Sequence, residues 1–268
     1  MKPINSIFAI ALLATLPAGF SYAQTSPAAP KTSTTKPAAP ASTSTTSTAT
    51  TTTSAAPAAP ASSARTDVYH VHFTHAAPGK AAALGDFMKQ PDPNAPMPGH
   101  AIVLRHQDGD SWDYLAIEHM GTKATLDAAR PAPASAAARD ASDWHTDTYV
   151  SGPAWADFAK AMGINEGAGK SAVYIASVYR AIPGHREQLD GVLKTQSPGD
   201  PVAGTVVLQH LEGAAWTFVS VARYATWEDF VKSETNAAAE LAKGTGGWAA
   251  LRDHSSYHTD TLADRIFP

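Results

Sequence analysis

Cysteine is absent from this 268-residue sequence, and its absence excludes several kinds of chemistry. Disulfide bonds cannot stabilise the fold, so the stability must come from a packed core. Cysteine nucleophiles, thiolate metal ligands and a lipid anchor on cysteine are excluded as well. Gly-x-Ser-x-Gly, phosphate-binding and dinucleotide-binding motifs are also missing, so no stretch of the sequence specifies a reaction.

No apolar run that could cross a membrane is found near the N-terminus. The run from Ile7 to Leu16 is too short to cross a bilayer. It follows Lys2 and precedes small residues that end at Ala23, which is the pattern of a secretory signal peptide. We predict a signal peptide at 1–23, no membrane span, and a mature protein in the periplasm or the extracellular space.

Charged residues are few, at 16% of the chain, and they are unevenly distributed. Residues 24–65 are almost entirely alanine, threonine, serine and proline, so they have little apolar surface to bury. We predict that 24–65 is a disordered linker. All 24 acidic residues but only 16 of the 20 basic residues lie after it, which gives 66–268 a net charge of −8. This charge argues against nucleic acid as a partner.

The remaining sequence repeats itself. The matching segments are 67–88 with 172–193, 102–120 with 206–224, and the His-Thr-Asp-Thr motif at 145–148 with its second copy at 258–261. Because the matches keep the same order over the whole length, they indicate an internal duplication. We predict a first repeat at 66–152, a connector at 153–170 and a second repeat at 171–268.

Each repeat has the same predicted order of elements. A strand rich in β-branched and aromatic residues precedes Pro-Gly and a helix, which are followed by a hairpin, an Ala-rich helix and the His-Thr-Asp-Thr strand. This β-α-β-β-α-β order is typical of a ferredoxin-like unit, with four antiparallel strands and both helices on one face. We expect an α+β chain of two tandem ferredoxin-like repeats, packed sheet to sheet because each has an open sheet face.

The strand, the Pro-Gly helix opening and the hairpin with an aromatic second strand resemble the dimeric α/β-barrel superfamily. That superfamily includes NIPSNAP-like proteins, stress-responsive barrel proteins, and cofactor-independent or haem-degrading monooxygenases. The resemblance covers both repeats. It implies a pseudo-twofold α/β barrel that forms within one chain, whereas two chains usually supply the two units in that superfamily.

Alternation along the hairpin strands predicts which side chains face the shared interior. Leu115 and Ile117, with Val219 and Val221 in the second repeat, suit the face covered by helices. The residues of the opposite parity are then predicted to line a ligand-binding interior. They are Trp112, Tyr114, Trp216 and Phe218. The histidines His106 and His210 are expected on the same face, opposite the two tryptophans.

The closing strands supply the other candidates for catalysis. In each strand an imidazole and a carboxylate two residues apart share one face, so the carboxylate could orient a general base. The catalytic candidates are His106, His145, Asp147, His210, His258 and Asp260. The competing interpretation is structural, because both repeats retain the motif and a catalytic site is usually kept in only one copy.

Differences between the repeats indicate a further possibility. His70 and His72 lie two residues apart in the first strand, where the second repeat has Ile175 and Ser177. His-x-His is a known metal-ligand spacing. No helical His-carboxylate motif accompanies this pair, so the sequence does not predict a metal site, and it specifies no other cofactor.

Three functions are consistent with the sequence. The leading hypothesis is an exported protein that binds a small apolar or aromatic molecule in an aromatic-lined interior. The second, implied by the resemblance, is a cofactor-independent or haem-dependent monooxygenase or an isomerase. The third is a structural or interaction protein whose interior is filled by its own side chains. Whether the protein is an enzyme stays open at this point.

Overall fold

A computed structural model describes residues 64–93, 95–128, 136–164, 172–197 and 199–268 of this chain. The predicted signal peptide at 1–23 lies outside the described residues, as do 24–63 of the predicted linker and 165–170 of the predicted connector. All the described residues belong to one compact unit.

The first half of the described chain contains four strands and three helices, followed by a connecting helix. In chain order they are β1 Asp67–Ala76, α1 Ala81–Met88, β2 Ala101–Asp108, β3 Tyr114–Gly121, α2 Lys123–Ala128, α3 Ala136–Ala141, β4 Ser142–Gly152 and α4 Trp155–Ala161. Alpha-helices and antiparallel strands therefore alternate in this half as the sequence predicted, with the Ala-rich segment divided into two short helices.

The second half has the same order of elements. They are β5 Val173–Ala181, α5 Arg186–Lys194, β6 Gly204–Glu212, β7 Phe218–Tyr224, α6 Trp227–Ala242, α7 Gly247–His254 and β8 Ser255–Phe267. Helix α6 begins at a capping residue, because the Thr226 hydroxyl accepts a hydrogen bond from the Asp229 amide. The prediction of an α+β chain is confirmed.

The eight strands form one antiparallel sheet that closes on itself as a ring. The order around the ring is β1-β3-β2-β8-β5-β7-β6-β4. Each half contributes four consecutive strands, ordered β4-β1-β3-β2 in the first and β8-β5-β7-β6 in the second. The halves meet where β2 pairs with β8 and where β4 pairs with β6. No sheet edge is left unpaired among the described strands.

The largest apolar cluster lies on the inner face of the ring, and both halves contribute to it. Its strand residues follow the two-residue period of the pleat, as in Tyr69, Val71 and Phe73 of β1. Leu115, Ile117, Val219 and Val221 belong to this inner cluster. The expectation that these four residues face helices is therefore wrong.

Two smaller clusters lie on the outer face, where helices cover the sheet. In the first half Leu84 of α1 packs with Tyr114 and Ala116, and in the second Leu189 of α5 packs with Phe218. Leu84 and Leu189 are buried because each projects from the side of its helix that lies on the sheet. Each such side chain contributes about 1.5–3 kcal/mol through burial.

Helix α4 fills one end of the ring. Phe158 and Met162 are fully buried in the inner cluster, and Trp155 packs against it. The Tyr69 hydroxyl donates to the Pro153 carbonyl at 2.7 Å, which fixes the start of this segment above the strands. The apolar residues at helical spacing in the connector therefore belong to the core.

Arg65 lies inside the folded part rather than in the linker to which composition assigned it. Its guanidinium bonds both carboxylate oxygens of Asp190 in α5 and the Gln209 side chain at 3.1 Å. It also lies over the Phe218 ring, with Cζ 5.5 Å from the ring centroid. Arg65, which composition places at the end of the linker, therefore makes specific contacts with the outer face of the second half.

Candidate functional site

A cavity of about 310 Å³ opens at the end of the ring opposite α4. Its walls come from strands and hairpin turns of both halves. The lining residues are Phe73, Asp110, Trp112, Trp144, Thr146, Val178, Arg180, Ala214, Ala215, Trp216, Tyr257 and Thr259. The cavity is the space that the inner cluster leaves between Phe73 and Val178 and the mouth of the ring.

Most of the lining residues occupy matching positions in the two halves. Trp112 matches Trp216 and Phe73 matches Val178 in the aligned repeats, and in the closing strands Trp144 matches Tyr257. Trp112 is the more deeply held of the two turn tryptophans, at 3% exposure, and its ring is 5.7 Å from that of Phe73. The wall is therefore aromatic on both sides of the cavity.

Two charged side chains interrupt the aromatic wall. Arg180 donates from Nε to the Ala215 carbonyl at 2.9 Å and lies over the Tyr257 ring, with Cζ 5.8 Å from the centroid. Asp110 accepts a hydrogen bond from the Thr259 hydroxyl at 3.3 Å. A molecule in the cavity would thus meet one fixed cation and one carboxylate among apolar rings.

His106 and His210 lie next to the cavity tryptophans. Each imidazole packs edge-on against the tryptophan of its own half, with ring centroids 5.7 Å apart in both pairs. The Nε2 atom of each is buried and has no hydrogen-bond partner within the described part of the chain. A buried imidazole nitrogen without a partner is uncommon and can serve as a proton acceptor.

The other two aromatic residues predicted for the interior lie on the opposite face. Tyr114 is buried under α1, where its hydroxyl donates to the Ala81 carbonyl at 2.7 Å. Phe218 packs under α5 with Leu189. The prediction that they line the interior is wrong, because alternation does not continue through the turn: strand β3 begins at Tyr114, and Trp112 belongs to the turn before it.

The repeated His-Thr-Asp-Thr motif lies where the two halves join. Thr148 and Thr261 are buried on the inner face, and the Thr261 hydroxyl accepts from the Asp110 amide at 3.2 Å. Each hairpin turn packs its glycine against the motif of the other half, Gly109 on Asp260 and Thr261, and Gly213 on Asp147 and Thr148. These contacts give the motif a structural role in both copies.

The histidines and aspartates of the motif face outward, away from the cavity. His258 lies 3.6 Å from Asp260 in the second half, and His145 lies 3.3 Å from Asp147 in the first, measured between Nε2 and Oδ2. All four of these catalytic candidates are therefore separated from the cavity by the sheet. Only His106 and His210 remain on the cavity side.

On the outer face of the first half, Asp147 joins a cluster that strand pairing assembles. His72 of β1 is directly opposite Asp147 of β4, and His70 is two residues away on the same face. Asp147 Oδ1 is 2.8 Å from His72 Nδ1 and 2.9 Å from His70 Nε2. Glu118 of β3 approaches His70 from the other side, with Oε2 2.9 Å from Nδ1.

The carboxylates shift the charge state of this outer cluster. Burial lowers the pKa of His70, but the hydrogen bonds to Asp147 and Glu118 outweigh burial and raise the pKa to about 9. The hydrogen bonds from His70 and then His72 hold the pKa of Asp147 far below its usual range. His70, His72 and Asp147 each offer a ligand atom, and the three atoms lie within 4.8 Å of one another.

Sequence reasoning missed several residues of both sites. Trp144 and Tyr257 each directly precede a copy of the repeated motif. The alignment of the repeats could have identified this aromatic pair as candidates for the cavity wall. The proximity of Glu118 to His70 had no such signal, because it arises from the pairing of β3 with β1 across 48 residues of sequence.

Comparison with known proteins gives a match only at the level of structure. No protein-family model and no curated protein matches the sequence. A solved structure of an anthrone oxidase-like protein is similar with a TM-score of 0.53 and 16% identity, covering 76% of this chain and 92% of that chain. A proposed monooxygenase from Lactobacillus acidophilus NCFM has a TM-score of 0.44 and 11% identity, covering 75% of this chain and 94% of its own.

The first of these similarities carries information about the fold alone, and the second is too low to carry an argument. This chain therefore resembles the anthrone oxidase-like protein in its fold, an α+β chain with an antiparallel sheet. None of the described helices is both long enough and apolar enough to span a membrane.

Proposed function

We propose that this protein binds a small, flat aromatic molecule in the cavity at the open end of the ring. The observation that carries the proposal is the paired aromatic wall, in which Trp112 and Trp144 face the space together with Trp216 and Tyr257. Flat rings stack favourably on such side chains and bury much of their area. Symmetric walls of this kind leave a slot between the two halves.

The size of the cavity supports a ligand over a filled interior. A volume of 310 Å³ is about ten times the share of one water molecule in the liquid, and it lies at the lower end of the range for small-molecule sites, roughly 300–1,000 Å³. An interaction protein with a filled interior would leave room for one or two waters. The volume suits two or three fused rings.

Arg180 adds a preference for a ligand with an oxygen substituent. Its guanidinium is fixed at the wall by Ala215 and Tyr257 and would pair with a phenolate or a carboxylate on the edge of the ring system. We therefore expect 2-naphthoate to bind more tightly than naphthalene.

Quenching of tryptophan emission by 2-naphthoate tests this function directly. Saturable quenching is expected in the wild-type protein, and Ala215→Trp should abolish it because the larger side chain fills the cavity. Ala238→Trp on the exposed side of α6 is the matched control and should bind as the wild type does. Equal quenching in both variants would overturn the cavity as the binding site.

A second variant pair separates wall residues from tryptophans in general. Trp216→Ala removes one wall, whereas Trp248→Ala removes an indole that is 52% exposed on α7. We expect at least a tenfold loss of 2-naphthoate affinity in the first and no change in the second. Arg180→Gln should weaken 2-naphthoate and leave naphthalene unchanged.

We also propose that the two halves are tandem copies of a ferredoxin-like unit, packed as a pseudo-twofold α/β barrel of the dimeric α/β-barrel superfamily. The equal element order and strand order of the halves support this origin. The relation to NIPSNAP-like or stress-responsive barrel proteins stays a prediction. Co-expression of 24–164 and 165–268 as separate chains tests the proposal, because two copies of a self-contained unit should assemble into one soluble complex.

Export remains part of the proposal. A signal peptide at 1–23 is supported by its sequence pattern alone. Intact mass of the protein recovered from the periplasm of an expression host should correspond to a chain that begins at Gln24. Retention of Met1 in all recovered protein would contradict export.

A second candidate function is a cofactor-independent oxygenase or isomerase acting on the bound aromatic molecule. The Nε2 atoms of His106 and His210, which have no hydrogen-bond partner in the described part of the chain, favour it, and a structural neighbour with a TM-score of 0.53 is called anthrone oxidase-like. Neither imidazole is among the described lining residues, so in either reaction the proton of a ligand carbon would reach an imidazole through a water molecule or after rotation of the ring, and in the oxygenase dioxygen would accept the electrons.

The haem-dependent version of this candidate does not fit the cavity. Haem iron is bound by His, Cys, Met or Tyr, and Tyr257 is the one residue of these types among the described lining residues. Its ring is already covered by Arg180.

Oxygen uptake with anthrone as the probe tests the second candidate. An active enzyme should consume oxygen faster than the same anthrone solution without protein. A His106→Asn, His210→Asn double variant should lose this rate while retaining 2-naphthoate binding. Binding of 2-naphthoate without oxygen uptake in the wild-type protein would contradict the oxygenase and leave binding as the only supported function.

A further inference from the structure

We propose that His70, His72 and Asp147 form a site for a divalent transition-metal ion such as Zn²⁺, with Glu118 orienting His70 from behind. The site lies on the outer face of the first half, on the other side of the sheet from the cavity. It is independent of the aromatic ligand proposed above.

Strand geometry brings the three ligands together without a loop. His70 and His72 project from the same face of β1, and the register of β1 and β4 sets Asp147 directly across from His72. Zn²⁺ binds nitrogen and oxygen at about 2.0–2.2 Å, so two ligand atoms on one tetrahedral ion lie roughly 3.3 Å apart. Asp147 Oδ1 is already 2.8 and 2.9 Å from the two imidazole nitrogens. A small rotation of the carboxylate would admit the ion.

The chemistry of the ligand set matches the ion. Imidazole is a borderline donor and carboxylate is a hard donor, and both bind Zn²⁺ in proteins. A zinc site can therefore form from these residues without cysteine. His70 and His72 are 19% and 23% exposed at the side chain, while Asp147 is 49% exposed. An ion can therefore enter from solvent and meet imidazoles that are largely held in place.

Glu118 supplies the partner that metal-binding histidines commonly have. Its carboxylate accepts from His70 Nδ1 at 2.9 Å, which leaves Nε2 as the nitrogen directed towards Asp147. A carboxylate behind an imidazole fixes the tautomer and strengthens it as a ligand. Both nitrogens of His70 face carboxylate oxygens, and a bound cation would lie between Nε2 and Asp147.

His145 lies at the exposed side of the site and could supply a fourth ligand. Its Nε2 is 3.3 Å from Asp147 Oδ2, and its ring stacks on His72 with centroids 5.2 Å apart. The side chain is 50% exposed and can rotate towards an ion. With His145 the ligand set would be three imidazoles and one carboxylate.

The second half provides an internal control for this proposal. It retains His258 and Asp260 at the positions of His145 and Asp147, but Ile175 and Ser177 replace the two strand histidines and Ala222 replaces Glu118. The motif shared by both halves therefore does not make the site by itself. The three substitutions remove the two imidazole ligands and the carboxylate that supports one of them.

Zn²⁺ titration of the chelator-treated full chain, followed by calorimetry at pH 7.5, tests the proposal. The wild-type protein should bind one equivalent, and His72→Asn or Asp147→Asn should weaken binding at least 100-fold. Glu118→Gln should weaken it about 10- to 100-fold, the usual effect of removing the partner of a ligating histidine. The matched controls His258→Asn and Asp260→Asn should change the affinity less than twofold.

Co²⁺ gives a second readout that does not depend on the variants. A bound Co²⁺ ion with nitrogen and oxygen ligands should give visible absorption bands that disappear when Zn²⁺ is added. Absence of both heat and Co²⁺ bands in the wild-type protein would overturn the proposal and leave a hydrogen-bonded cluster of protonated histidines. Binding that survives His72→Asn but is lost in His258→Asn would overturn it too.

Discussion

The inner and outer faces of the ring differ in how closely the two halves match. On the inner face the halves are alike, with a tryptophan from each hairpin turn and an aromatic residue before each closing motif. On the outer face they diverge, since His70, His72 and Glu118 occupy positions where the second half has Ile175, Ser177 and Ala222. The cavity is therefore built mostly from positions that match in the two halves, whereas the outer cluster needs His70, His72 and Glu118, which the second half lacks.

Helix α4 explains why this cavity opens at the end of the ring opposite to it. Helix α4 occurs once, between the halves, and its Phe158 fills one end of the ring together with Met162, which directly follows the helix. The opposite end has no such insertion among the described residues, so the two aromatic walls remain apart. One unpaired segment thus makes a closed core at one end and a cavity at the other.

Truncating the two turn tryptophans is the strongest test of the match. Trp112→Ala should lower the free energy of unfolding by about 3–5 kcal/mol, because this side chain is buried in the inner cluster at 3% exposure. Trp216→Ala should cost about 1–2 kcal/mol, since Trp216 is only half-buried. Urea denaturation measures both values. Equal losses would show that the two walls are more alike than their burial indicates.

The glycines of the hairpin turns should be equally intolerant of a side chain. Gly109 and Gly213 have positive φ angles, and a Cβ atom on either would collide with the backbone of the opposite closing strand. Alanine at either position should cost about 2–4 kcal/mol through strain and collision. Gly191→Ala is the control, since this glycine lies inside α5 with open space around it, and it should stabilise the protein by up to about 1 kcal/mol. Thermal unfolding of the three variants would reveal any difference between the turns.

Tyr114 and Phe218, the equivalent aromatic residues on the outer face, should make the two halves differ by one hydrogen bond. Tyr114→Phe removes the bond to the Ala81 carbonyl and should cost about 1 kcal/mol. Phe218, its counterpart, has no hydroxyl and packs beside Arg65 instead. The reverse change, Phe218→Tyr, should give no gain, because Asp190 occupies the position of Gly85, where a Cβ atom would lie only 2.5 Å from the tyrosine hydroxyl oxygen. A stabilisation by Phe218→Tyr, measured by urea denaturation, would contradict this difference.

The smallest expected effect is a pH dependence that arises from the first half. Burial lowers the pKa of His119 despite its bond to Asp67 at 2.8 Å, and His100 lies beside it. The unfolded chain therefore binds a proton more readily than the folded one, so stability present above the unfolded pKa, about 6.5, is lost as pH falls below it. Arg223 occupies the equivalent position in the second half. Denaturation of His119→Gln between pH 7.5 and 5 should show a shallower loss than the wild type.

The class of fold and its order of elements could be predicted from sequence because both depend on local patterns. Alternating apolar residues, the Pro-Gly helix openings and the Gly-containing turns each act within about ten residues, and they recur in both halves. The positions of the inner and outer faces could not be predicted reliably. The alternation of side chains between the two faces stops where a strand ends. Trp112 lies in the turn before β3, which begins at Tyr114.

The candidate sites show the same division. Trp112 and Trp216 were predicted for the interior and line the cavity, whereas Tyr114 and Phe218 do not. Arg180 was not predicted as a site residue, because nothing in its local sequence indicates that it lies over Tyr257. Contacts of this kind depend on which strands become neighbours in the closed sheet.

By itself, the sequence determined that the chain folds as two similar α+β halves, since repeated apolar periods, turns and helix openings are local features. The tertiary structure decided which face of each strand became the interior, which end α4 filled, and that His70 and His72 meet Asp147 and Glu118. These outcomes depend on ring closure and strand register, which bring together residues far apart in sequence, and no local pattern encodes such distances.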